Sequence, residues 1–170
     1  LEAFDLYLLA RHKQRLRTEG NLRDALRLYR DALDVDPDFA AAWAGAATVT
    51  ELLSAQFYGP EPDMVSHRKA QELLDRALEL DPELADAHAT QALVKLHEER
   101  PHQALVHIDK AIAGSPSEGI YYGWRANILQ FLGRHDDALD AIEQGYRIDP
   151  LHGAIRHNLA LHEAFVGDPA

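Results

Sequence analysis

Arg76-Ala77-Leu78-Glu79-Leu80-Asp81-Pro82-Glu83-Leu84-Ala85-Asp86-Ala87-His88 reads as the end of one helix, a stop at Asp-Pro, and the start of the next helix. Proline disfavours helical geometry in the residue before it and has no N–H to offer a helix interior. The same punctuation recurs at Asp36-Pro37, Ser115-Pro116 and Asp149-Pro150. Pro82 to Pro116 and Pro116 to Pro150 are both 34 residues, and Pro37 to Pro82 is 45, or 34 plus an insertion of 11. A 34-residue period is the signature of a helical repeat array.

Working outward, apolar spacing predicts helices over 3–18, 22–35, 39–57, 64–80, 84–98, 102–114, 118–132, 135–148 and 152–166. Phe4, Tyr7, Leu8 and Leu16 are expected on the buried side of the first, and Gly20-Asn21 to break it from the second. The third is built around Trp43. Tyr58-Gly59-Pro60-Glu61-Pro62-Asp63 is a loop insertion, and Asp63 is a candidate N-cap. There is no strand signal, so the expected class is all-α.

Small residues follow the prolines. Ala47, Ala92, Ala126 and Ala160 are separated by 45, 34 and 34, as are Ala25, Ala70, Ala104 and Ala138, and Ala32, Ala77, Ala111 and Gly145. Each series marks a helix–helix contact that a larger side chain would force apart. Tyr29, Leu74, Ile108 and Ile142 fill the spaces between them in the same series.

These residues resemble the tetratricopeptide repeat (TPR): two antiparallel helices per unit, small residues at inner positions and proline at the unit's end. The resemblance implies a right-handed superhelix of four helix pairs plus one further helix. It forms a single array over 1–170, with repeats about 3–38, 39–83 with an insertion near 58–68, 84–117, 118–151, and a final helix 152–166. The pattern departs from the family at Lys13, where the alanine series would place a small residue, at Glu99, where a turn glycine is usual, and at Gly145. Tyr7 to His12, residues 32–47 and the insertion are also similar to the repeats that follow a winged-helix transcription activator or a class III nucleotide cyclase domain in bacteria.

Net charge is −11, which argues against direct nucleic-acid binding. Residues 1–30 nevertheless carry seven Lys/Arg against four acids, including Arg11, Lys13, Arg15 and Arg17, which read as a solvated helix end. Without cysteine there are no disulfides or thiolate metal sites, and no apolar run reaches the length of a membrane span. The chain starts with Leu1 and carries no signal-peptide pattern, so it reads as a fragment of a longer protein, expected in the cytoplasm, or in the periplasm if a membrane segment lies upstream.

Ten histidines raise the question of a metal. His97, His102 and His107 fall at intervals of five, as do His152, His157 and His162. Such residues do not share a helix face, whereas a helical zinc pair needs a spacing of four. The expectation is therefore no metal and no cofactor. No phosphate loop, nucleophile elbow or Ser/His/Asp ordering is present either, and the segment reads as non-catalytic.

What remains is the concave wall formed by the first helix of each pair. Thr48, Glu51, Asp86, Ala89, Leu93, Ile120, Gly123 and Gln130 are placed on it. The binding groove is expected at Trp124, Asn127, His157, Asn158 and Leu161. Asn127 and Asn158 are 31 residues apart and face one another on adjacent helices, where amides can hold a ligand's backbone. The resemblance implies that relatives clamp a terminal carboxylate with Lys and Asn. Ala44, Gly45, Thr48, Asp86 and Thr90 stand at those places here, so that clamp is absent, acidic C-terminal peptides are not expected as ligands, and the groove suits a mainly uncharged segment. The expected function is a protein-interaction module for a peptide or partner domain. The alternative is a regulatory domain acting by intramolecular contact or dimerisation, and Leu159, Phe165 and Val166 on the last helix point to weak self-association.

Overall fold

The repeat stops are built alike. The N–H groups of Asp36, Asp81, Ser115 and Asp149 donate to the carbonyls of Ala32, Ala77, Ala111 and Gly145, each at 2.9 Å. The chain then turns three residues later, where Phe39, Leu84, Glu118 and His152 donate back to the stop residue's carbonyl at 3.2–3.3 Å. A second lock repeats too. The Trp43 indole donates to Pro37 O at 2.8 Å, His88 Nε2 lies 3.1 Å from Pro82 O, and the Tyr122 hydroxyl donates to Pro116 O at 3.1 Å.

The computed structural model describes the backbone of residues 2–55 and 63–166, and the side chains within them except 55, 63, 64 and 162–166. Among the described residues the helices are α1 (Ala3–Arg15), α2 (Glu19–Val35), α3 (Ala40–Ala55), α4 (Asp63–Leu80), α5 (Ala85–His97), α6 (Pro101–Gly114), α7 (Gly119–Phe131), α8 (His135–Ile148) and α9 (Gly153–Val166), with no strand. Consecutive helices pair as α1–α2, α3–α4, α5–α6 and α7–α8, and the first helices stack in the order α1, α3, α5, α7, α9. This is the all-α superhelix of helix pairs that the period implies. No helix among the described residues is long and apolar enough to cross a membrane. Most of the insertion, with Phe57, Tyr58 and the loop prolines, falls outside the described residues, as do the side chains of Asp63, Phe165 and Val166.

The small-residue registers form the core. Ala25, Ala70, Ala104, Ala138, Ala32, Ala77, Ala111, Ala47, Ala92 and Ala126 have no solvent exposure, and Gly145 is buried beside them. Tyr29, Leu74, Ile108 and Ile142 lie against them, also buried. Ala160, on α9, is exposed, since no second helix covers that face among the described residues.

The first pair departs from the expectation. Its small residue is Ala10, fully buried, one turn before Lys13. The three extra residues extend α2 to 17 residues, against 14 for α6 and α8. Gly20-Asn21 therefore does not break a helix. Thr18 caps α2 by accepting from Asn21 N at 3.3 Å, and both residues lie in its first turn. The buried face of α1 becomes Leu6, Tyr7 and Ala10, while Leu8, Leu16 and Phe4 (58% exposed) face outward.

Gly145 has a steric cause. A Cβ there would sit 2.8 Å from Gly119 O, and one on Gly119 would sit 2.9 Å from Gly145 O, so α7 and α8 cross backbone to backbone.

Candidate functional site

Seven residues after Ala10, Ala92 and Ala126 come Arg17, Glu99 and Gly133, with φ of 55°, 58° and 73°. These are equivalent turn positions, and glycine is the residue that suits them. At Glu99 the side chain is exposed. At Arg17 it turns into the concave face, where the guanidinium carbon lies 5.8 Å from the centre of the Trp124 ring on α7. No carboxylate among the described residues pairs with Arg17, and burial lowers its pKa to about 10.

Two more residues of the basic cluster also cross the groove, their side chains part-exposed. Arg11 reaches Glu118 at 3.2 Å and Arg15 reaches Asp149 at 2.5 Å, the latter spanning 134 residues of sequence. Lys13 is the exception, turning to Asn21 at 3.4 Å and Asp24 at 3.9 Å. Helix α1 packs on α2 and α3 but not on α7, so only long side chains close this gap.

The enclosed space is a pocket of about 190 Å³ between α1, α3, α5, α7 and the start of α9. Its walls carry Tyr7, Thr48, Asp86, Tyr121, Trp124 and His152 together with the arginines. Asp86 accepts a short hydrogen bond from the Tyr121 hydroxyl, whose pKa is raised by burial and then by Asp86. Burial opposes the charge of Arg11, yet Tyr7, Asp86 and Glu118 hold its pKa above the ordinary arginine range. His152 is buried, and its Nδ1 has no hydrogen-bond partner. Burial, then Arg17 and Arg15, push its pKa down, against an upward pull from Asp149. The pocket therefore holds an unpaired guanidinium and an unsatisfied imidazole nitrogen on one wall.

Of the residues expected from the sequence, Trp124 is buried and lines this pocket. Asn127 and Asn158 meet, Nδ2 of Asn158 donating to Oδ1 of Asn127 at 3.2 Å, both part-buried. His157 and Leu161 (46% exposed) lie on the open side of α9. Thr48, Asp86 and Ile120 line the pocket, whereas Glu51 is fully buried and takes no part in the wall. The sequence reading missed Arg17 and His152. Its available signal is the position three residues after each stop, which reads Phe39, Leu84, Glu118, His152: apolar in the first two units and polar in the last two.

Helix pairs stacked at this period, with this small-residue core, have the tetratricopeptide-repeat fold. The family model described as tetratricopeptide repeat matches residues 120–150. The chain is 36% identical over 78 residues to uncharacterised protein y4yS of Sinorhizobium fredii, covering 46% of this chain and 42% of that one. It thus spans less than half the length of this curated relative. TTC0263, a thermophilic TPR protein of Thermus thermophilus, superposes with a TM-score of 0.74 at 20% identity over 96% of this chain and 82% of its own. YrrB, described as a TPR protein with an unusual peptide-binding site, gives 0.51 at 21% identity over 98% and 78%. At these identities the two structures bear on the fold alone.

Proposed function

We propose that the chain is a non-catalytic interaction module holding an extended segment of a partner protein in its concave groove. A carboxylate of that segment seats between Arg17 and His152. The observation behind this reading is the pair of unmatched groups lining one pocket, the part-buried Arg17 guanidinium on Trp124 and the buried His152 Nδ1. A buried polar atom without a partner costs about 1–3 kcal/mol, and a ligand that supplies the partner recovers it. An incoming carboxylate accepts from the guanidinium and, by favouring imidazolium, from His152 Nδ1. In this reading acid recognition falls to the turn after α1 and the residue before α9, at positions other than the family's carboxylate clamp. From there the segment runs along α7 and α9, where Asn127 and Asn158 exchange their mutual bond for the ligand's backbone. His157 and Leu161 flank it. The regulatory alternative rests on the arrangement of the sequence alone.

Selection of displayed random peptides on the folded chain tests this reading. The enriched peptides are expected to share an Asp, a Glu or a free C-terminus. Arg17→Gln should weaken them by about 10–100-fold, in line with a charge-assisted hydrogen bond. Arg27→Gln, an exposed arginine on α2, should leave them unchanged. Enriched peptides without an acid, or undiminished binding to Arg17→Gln, would overturn the proposal.

A further inference from the structure

Away from the groove, Glu51 of α3 is fully buried, and its two carboxylate oxygens face two imidazoles. His67 of α4 lies with Nδ1 2.9 Å from Oε2, and His97 at the end of α5 sets Nδ1 against Oε1. One donor atom from each of the three residues falls within 4.8 Å of the others. The rings lie 5.4 Å apart, centre to centre, and remain partly open to solvent, with His97 32% exposed.

We infer that Glu51, His67 and His97 form a three-ligand site for a divalent transition-metal ion, zinc in the first instance. Two imidazole nitrogens and one carboxylate oxygen are the ligand set of zinc sites with an open fourth position. At zinc–ligand distances of about 2.0–2.2 Å, tetrahedral ligand atoms lie roughly 3.3–3.6 Å apart, so the present separations need only small side-chain rotations. Charge supports the assignment. A fully buried carboxylate is costly unless a cation balances it, and among the described residues these two imidazoles meet Glu51. A dication set between them balances the carboxylate and is held through the Nδ1 lone pairs of the imidazoles. Their partial exposure gives the ion an entry path.

Spacing along the sequence hides this site, because the intervals of 16 and 30 residues between its ligands belong to three different helices. The ion would tie the α3–α4 pair to α5.

Zinc titration of the chelator-treated chain, read by calorimetry and by melting temperature, tests the assignment. One zinc ion per chain and a higher melting temperature are expected. His97→Gln and His67→Gln, each checked for helicity, should abolish both effects, while His107→Gln should abolish neither. Should the variants unfold, long-range ¹H–¹⁵N spectra of the wild-type imidazoles decide, with zinc expected to shift Nδ1 of two rings together. Equal zinc uptake by wild type and a folded His97→Gln overturns the proposal, as does a wild-type chain whose melting temperature and imidazole resonances ignore zinc.

Discussion

Arg17 holds a left-handed backbone that costs a side-chain-bearing residue about 1–2 kcal/mol. Glu99 bears the same cost at the equivalent turn, where its exposed side chain gains nothing visible in return. Glu99→Gly is therefore expected to raise stability by about 1 kcal/mol in urea unfolding. Arg17→Gly should remove the same strain while losing the acidic peptides. His152 gives a second residue-scale prediction. Its folded pKa lies below the unfolded value of about 6.5, so the unfolded chain binds the extra proton. The stability tied to its neutral form is complete above about pH 6.5 and declines as pH falls toward the folded value. His152→Gln should flatten that part of the acid-side decline in the urea midpoint, and an unchanged profile would count against the buried neutral imidazole. At this scale the sequence is least legible. Arg17 reads as one more cation in a basic run, because nothing near it shows that Trp124, 107 residues later, lies beneath it.

Helix contacts are where the sequence reads best. The series through Ala25, Ala70, Ala104 and Ala138 sets which face of each second helix is buried, and periodicity alone is enough to find it. Boundaries are less legible. Thr18 rescues a helix start that Gly20-Asn21 hides, and the extra turn of α2 moves the small position of α1 from Lys13 to Ala10. Gly145 is visible in the sequence as a departure from alanine but not explained there, since its cause is the carbonyl of Gly119 on another helix. Gly145→Ala gains up to about 1 kcal/mol of helix propensity. It must also push two backbones apart, at about 1–3 kcal/mol. Net destabilisation is expected in Gly145→Ala, and a larger loss in Ala138→Leu, both read as a lower urea midpoint at constant slope. A Gly145→Ala variant more stable than wild type would contradict the close crossing of α7 and α8.

The whole molecule is a superhelix wound tightly enough for its first helix to face its fourth pair. That closure makes the pocket, and period-counting could not see it, because a fixed repeat length leaves the curvature per repeat open. The two ion pairs across the gap are part-exposed, so each contributes only about 0–1 kcal/mol. A latch this weak can open to admit a segment and close on it. The direct test is zero-length carbodiimide coupling in a chain carrying Arg11→Lys and Arg15→Lys, with products mapped by mass spectrometry. Isopeptide bonds should join position 11 to Glu118 and position 15 to Asp149, beside a local Lys13–Asp24 product that serves as internal control. If the local product forms and neither long-range bond appears, the first helix does not close on the fourth pair, and the groove described here is not the one the protein uses.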